Sequence, residues 1–196
     1  MAKRTYTVPV LLILITIMAI LIVLLYSRQL LDEQSRKTEQ GEKLAESYGY
    51  CQTFAGLLRE GSEAMLKADG AAGRLPAAQS FGKLELAGGE CLDALAKSGT
   101  YSGQELAAAT KAAQEPIGKI VAAAVSIGGH EGPLTEKETQ TLTRLRDGGA
   151  KLEEKLNAYP LPTKEERLRL MASGDEWVQA AQQAVEELRK LAESLA

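Results

Sequence analysis

An all-α protein is expected: an N-terminal transmembrane helix followed by an antiparallel bundle of four to five helices. Three features point there. Val8 to Tyr26 is an uncharged apolar run. Downstream of it, apolar and small residues recur in alternating steps of four and three. Two of the downstream segments also read as antiparallel partners whose facing residues match, the two cysteines among them.

The apolar run is VPVLLILITIMAILIVLLY, with Thr16 its one hydroxyl before the terminal tyrosine. A bilayer core about 30 Å thick needs about 20 apolar residues of helix. In hydrocarbon each backbone amide must bond within its own segment, so such a run is helical. Pro9 falls in the first turn, where its missing N–H costs nothing. Tyr6 and Tyr26 bracket the run at interfacial depth. A cleaved secretory signal would show a shorter apolar core and a small-x-small site. The residues that follow, Leu24 to Gln29, lack that pattern, and the first cysteine, Cys51, is too far on for a lipoprotein box. The run therefore reads as an uncleaved signal anchor. Lys3 and Arg4 lie beside it in a very short tail, which favours the N-terminus inside and the body outside the cytoplasm. The chain divides into a short cytoplasmic tail (1–7), the anchor (8–26), a helical stalk (27–43) and an extracytoplasmic bundle (44–196).

Of the 23 basic residues only Lys3 and Arg4 precede the anchor, so 21 face 26 acidic ones and the body carries −5. No basic stripe is visible, which argues against nucleic acid as a partner. The partners implied are the lipid bilayer, through Val8 to Tyr26, and a protein. Aromatics are only 5% of the chain, while glycine and alanine are abundant. Closely packed helices with small residues at their contacts fit that composition.

The first bundle helix runs to about Lys67, with Leu44, Tyr48, Cys51, Ala55, Leu58, Ser62 and Met65 on one face, the period of a helix packed on helices. The segment before it, 31–42, is mostly polar and reads as the stalk. Asp69 to Gly73 break the helix, and Pro76 permits a restart. The second helix, to about Lys97, has the seam Phe81, Leu84, Gly88, Cys91, Leu95. Folding the two antiparallel about Ala71 sets Cys51 opposite Cys91, Leu58 opposite Leu84, Ala55 opposite Gly88 and Tyr48 opposite Leu95. The thiols then sit at one level, and a disulfide is sterically feasible if their Cα atoms come within about 7 Å. Outside the cytoplasm that pair reads as a bridge. In the cytoplasm it reads as two small buried residues.

A third helix, from about Gly103 to Ser126, carries Leu106, Ala109, Ala113, Ile117, Ile120 and Ala124 on one face, with Pro116 inside. Thr135 to Glu138 form a capping box that opens a fourth helix, to about Ala158, with the seam Leu142, Leu145, Gly149, Leu152, Leu156. Folding this pair about His130 and Glu131 sets Ile120 against Leu142, Ile117 against Leu145, Ala113 against Gly149 and Leu106 against Leu156. Thr163 to Glu166 read as a second capping box. The last helical region bends at Gly174 and buries Trp177, Val178, Ala181, Val185, Leu188, Ala192 and Leu195.

Chemistry is scarce. His130 is the single histidine, and no Glu-x-x-His precedes it, so no metal site is expected. Ser-His-Asp and Cys-His arrangements have only a loop histidine to draw on. Gly82-Lys83 and Gly118-Lys119 lack the earlier glycine of a phosphate loop. No catalytic residue and no cofactor are expected. Tyr50, Phe54 and Leu57 form a further apolar edge on the first bundle helix, either as core or as the lining of a candidate ligand cleft.

Two functions fit. One is a non-enzymatic, membrane-anchored bundle acting through protein–protein contact at the outer face of a bacterial membrane. The other is a small-ligand sensor relaying through a partner. For the second, the architecture is similar to the periplasmic four-helix domains of chemoreceptors and sensor kinases. The resemblance rests on helix count and anchor position alone, and the second span of those receptors is missing from this sequence.

Overall fold

The computed structural model describes residues 7–174 and 176–195. The tail that carries Lys3, Arg4 and Tyr6 lies outside the described residues. Among the described residues there are seven α-helices and no strand. The first, α1 (Thr7–Lys67), is continuous over 61 residues, or about 90 Å at 1.5 Å per residue. Its first part is long and apolar enough to cross a membrane, and every side chain from Val10 to Tyr26 is exposed. Thr16 donates its hydroxyl to the Leu12 carbonyl at 2.7 Å, so the one polar side chain inside the run is satisfied by its own helix.

The stalk is the next stretch of the same helix. From Ser27 to Gln40 only Thr38 is even half-buried. A lone helix of that length is marginal in water. Here nothing has to nucleate it, because both ends continue into helix. Lys37 pairs with Glu33 at 3.1 Å and Lys43 with Glu39 at 2.9 Å, each one turn apart. Burial begins at Gly41 and Leu44, close to the stalk–bundle boundary at 43.

The bundle is built on α1. The chain reverses at Ala68 and Asp69 and descends as α2 (Gly70–Gly82) and α3 (Leu84–Tyr101), two helices split only at Lys83. It climbs as α4 (Leu106–Val125) and descends again as α5 (Glu136–Asn157). A short α6 (Glu165–Ala172) runs along the lower part of α1, and α7 (Trp177–Ser194) rises to finish the bundle. α3 and α5 flank α1, and α7 packs on α3, α4 and α5. The core includes Tyr48, Cys51, Leu58 and Met65 of α1, Phe81 and Leu84 of the descending arm, and Leu142, Leu145 and Trp177 of the later helices.

The first hairpin follows the sequence register. Tyr48, Ala55, Leu58 and Ser62 on α1 are buried, as are Leu95, Gly88, Leu84 and Phe81 on the arm. A Cβ on Gly61 would lie 2.9 Å from the Phe81 ring. The second hairpin does not follow it. α4 and α5 barely meet, because α7 lies between them and takes one flank of each. Ile120, Ile117 and Ala113 are buried, and Ile117 packs on Gly88 of α3. Gly149 instead packs on α1, where its Cβ would fall 2.8 Å from the Arg59 amide nitrogen.

Smaller differences have local causes. The arm resumes at Gly70, not Pro76, because Gly70 takes φ +68° and turns the chain in one step. Pro76 is then carried inside α2 with its ring exposed. Leu106 is 57% exposed, since α4 begins there. Thr163 caps nothing. α6 starts one residue later, at an N-cap Lys164 with no side-chain cap bond, and no second capping box forms. The bend falls at Gly174, φ +86°, where Tyr101 packs so closely that a Cβ would meet its ring at 2.9 Å. α7 presents Ala180, Ala184 and Leu191 to the core, while Val178, Val185 and Leu195 lie half-buried at its edges.

Close approach rests on particular glycines. A Cβ on Gly41 would lie 2.0 Å from the Leu168 carbonyl oxygen, so α6 can dock only because that position is bare. Gly149 sits comparably close to α1 backbone. Gly56 has nothing within 4 Å of where its Cβ would be. Gly41→Ala and Gly149→Ala should each lower stability in urea unfolding by about 1–3 kcal/mol, the usual scale of overpacking. Gly56→Ala should instead raise it, by up to about 1 kcal/mol of helix propensity. A Gly149→Ala chain as stable as the parent would contradict the α1–α5 contact.

Candidate functional site

A disulfide joins Cys51 to Cys91, with Cα atoms 4.7 Å apart. Both residues are buried, at 1% and 2% exposure, at one level of α1 and α3. Ser47, one turn below Cys51, ties the same two helices. It donates to the Glu90 carbonyl at 2.6 Å and accepts the Ala94 amide at 3.0 Å. Covalent and polar links thus coincide where α1 enters the bundle.

At the far end the α4–α5 loop is held by two charged side chains. Glu138 completes the capping box with Thr135: its carboxylate accepts the Thr135 amide at 2.8 Å, and the Thr135 hydroxyl accepts the Glu138 amide at 3.2 Å. The carboxylate also accepts the Gly128 amide at 3.0 Å and meets His130 Nε2 at 3.0 Å. Bonds from the Thr135 and Gly128 amides, then from His130, hold its pKa down at about 2. Arg74 approaches the loop from the other side. It is the single charged residue of α2 and is only 3% exposed. Its Nη2 donates to the carbonyls of His130 at 2.8 Å and Gly132 at 2.6 Å. His130 is therefore a loop residue tied by its ring to Glu138 and by its carbonyl to Arg74.

The near end is aromatic. Tyr48 packs edge-on against Tyr159 and Trp177, at 5.8 and 6.3 Å between centroids, and Tyr101 packs edge-on against Trp177 at 5.8 Å. Such pairs add about 0.5–1.5 kcal/mol each beyond the area they bury. The polar tips find backbone: Tyr48 donates to the Leu156 carbonyl at 2.8 Å, and Trp177 Nε1 to that of Met171 at 2.8 Å. Burial, then the neighbouring Tyr159, pushes the Tyr48 phenol well above its ordinary value.

Tyr50, Phe54 and Leu57 do not come together as one cleft. Phe54 is 2% exposed and part of the core, against Gly88. Tyr50 and Leu57 are half-buried at its edge. Tyr50 lines a wide, open depression with Glu46, Gly49, Thr53 and Leu161. Another recess, about 270 Å³, lies between α3, α4 and α7 beside Ser98, Gln104 and Gln182. Among the described residues no three His, Cys, Asp or Glu side chains converge as metal ligands. No protein-family model, curated protein or solved structure matches the chain.

Sequence reasoning missed Arg74, which lies in a stretch that reads as a chain break. The available signal was a lone cation in a run of Gly and Ala, with no acidic residue a turn away to pair with it. The ties from Gly128 and His130 to Glu138 were also unreadable, because loop residues have no period.

Two measurements follow from this geometry. The bridge closes a 40-residue loop, for which the chain-entropy account gives about 4 kcal/mol. Reduction, or Cys51→Ala with Cys91→Ala, should lower the urea midpoint accordingly, and an unchanged midpoint would remove the bridge from the account. Glu138→Ala should cost about 1 kcal/mol near neutral pH, the worth of a helix cap. A carboxylate held below its ordinary 4.5 stabilises the fold fully above that value and loses the contribution as pH falls towards 2. The stability gap between parent and Glu138→Ala should therefore be constant above about pH 5 and close on acidification.

Proposed function

We propose that this chain is a membrane-tethered contact protein: a disulfide-pinned bundle carried outside the cytoplasm on a rigid stalk, acting by binding protein and not by catalysis. The observation that carries the reading is the continuity of α1. One helix holds an apolar segment of bilayer length, an ion-paired exposed segment and the central rod of the bundle. A flexible linker would suit a tethered enzyme that must search for substrate. A stiff one suits a domain that must be presented at fixed height and orientation. The Cys51–Cys91 bridge supports an oxidising compartment, and the uncleaved anchor with its basic tail supports the N-terminus inside. The partners are the bilayer, through Val8 to Tyr26, and a protein.

The test is photocrosslinking in intact cells from reactive residues placed at exposed positions of the bundle, such as Glu60 and Lys119. Discrete protein adducts are expected. Adducts to lipid alone would contradict the reading. So would a small metabolite that raises the melting temperature substantially, since that marks a ligand bound by the folded state and would favour the sensor. Cysteine placed at Ala150 should react with a membrane-impermeant maleimide without lysis; protection until lysis would reverse the orientation.

A further inference from the structure

The segment 126–135 joins α4 to α5 without a helix of its own. From Gly128 to Leu134 it makes no hydrogen bond from backbone to backbone. Side chains hold it instead. Glu138 accepts the Gly128 amide and meets the His130 ring, and Arg74 donates to the carbonyls of His130 and Gly132. Met65 of α1 lies against it, 1% exposed. A Cβ on Gly128 would stand 3.3 Å from the Met65 sulfur and 3.5 Å from Arg74 Cδ.

The closed position has an opposing cost, and it falls on Arg74. The guanidinium is 3% exposed, and every bond it makes goes to a backbone carbonyl: Nε to Gly70 at 3.3 Å, Nη2 to His130 and Gly132. Among the described residues no carboxylate pairs with it, and its Nη1 is buried without an acceptor in the chain. A guanidinium keeps its charge in a protein. A buried charge without a counter-ion opposes folding, and an orphaned donor adds to the cost. Both costs vanish when the segment lifts and water reaches the fork.

We propose that 126–135 is a strap that swings open while the rest of the bundle stays folded, with Arg74 as its latch. The inference is independent of the tethered-contact reading. Little else has to move. Gly128, at φ +79°, supplies a pivot beside the end of α4. Glu138 still accepts the Thr135 amide when Gly128 and His130 leave it, so α5 stays capped. α4 and α5 barely meet, so parting the strap from Met65 separates no helix pair. Opening uncovers Met65 and frees the Arg74 fork, a two-donor edge of the shape that fits a carboxylate.

The test reads thiol reactivity in the full chain in detergent micelles. Cys51 and Cys91 are bridged, so an introduced cysteine is the one that reacts with a maleimide. Met65→Cys reports the strap. Ala181→Cys, fully buried on α7, reports unfolding of the whole bundle. Met65→Cys should label at least about 100-fold faster than Ala181→Cys, the mark of a local opening. Its rate should be flat in low urea, because little surface is exposed. Adding Arg74→Met should raise the Met65→Cys rate about tenfold or more, the scale of lost bonds to a charged donor. Labelling at Ala181→Cys should become no faster. Gly128→Ala should act in the same direction, since a side chain disfavours that φ, and it serves as the check should Arg74→Met misfold. Met65→Cys labelling that matches Ala181→Cys in rate and urea dependence overturns the proposal, for then the strap opens only when the bundle unfolds. A rate that neither Arg74→Met nor Gly128→Ala changes overturns it as well.

Discussion

A helix that runs on from an apolar segment of bilayer length carries its backbone hydrogen bonds with it, and α1 continues unbroken to Lys67. That continuity is the constraint on which the rest of the structure depends. Each exposed stalk residue is helical because the residues four before and four after it already are. The bundle therefore has no freedom to choose its central rod. α3, α5 and α6 all find their apolar faces covered by a helix whose axis continues that of the apolar segment.

Packing onto one long rod explains the distribution of small residues. Gly41 lets α6 touch the base of the rod through its backbone, and Gly149 does the same for α5 higher up. Gly88 makes room on the descending arm for Phe54 and Ile117, at the level where Cys51 and Cys91 meet with Cα atoms 4.7 Å apart. Of the nine aromatic residues four sit together at the near end, where Tyr48, Tyr101, Tyr159 and Trp177 fill the space that four elements leave as they converge. At the far end polar bonds replace bulk: Arg74 and Glu138 clasp a loop rich in glycine that has little apolar surface to bury. The bundle is thus closed by rings at one end, by charge at the other, and by a covalent bond between them.

Much of this was legible in the residues, for reasons that can be named. The apolar run, the stalk and the first hairpin follow from local period, and the short turn at Ala68 and Asp69 leaves the two helices no choice but to lie side by side. Cys51 and Cys91 fall at one level in the same register that sets Phe81 against Gly61. The longer loop from Ser126 to Thr135 imposes no such neighbour relation. α4 and α5 are free to part, and α7, with alanine along most of its buried face, fits between them. Period shows which residues of α4 and α5 turn inward; it does not show which helix they meet. Phe54 lies in the core for a related reason: Gly88 opens a place for its ring that the sequence of α1 alone does not reveal.

The rigid rod is open to direct measurement. Spin labels at Ser27→Cys and Glu60→Cys, in the full chain in liposomes, report the length of the stalk and lower bundle together by pulsed dipolar spectroscopy. One unbroken helix predicts a narrow distance distribution centred near 50 Å, at 1.5 Å per residue. A broad distribution, or one centred well below that value, would mean that the stalk bends or melts between membrane and bundle.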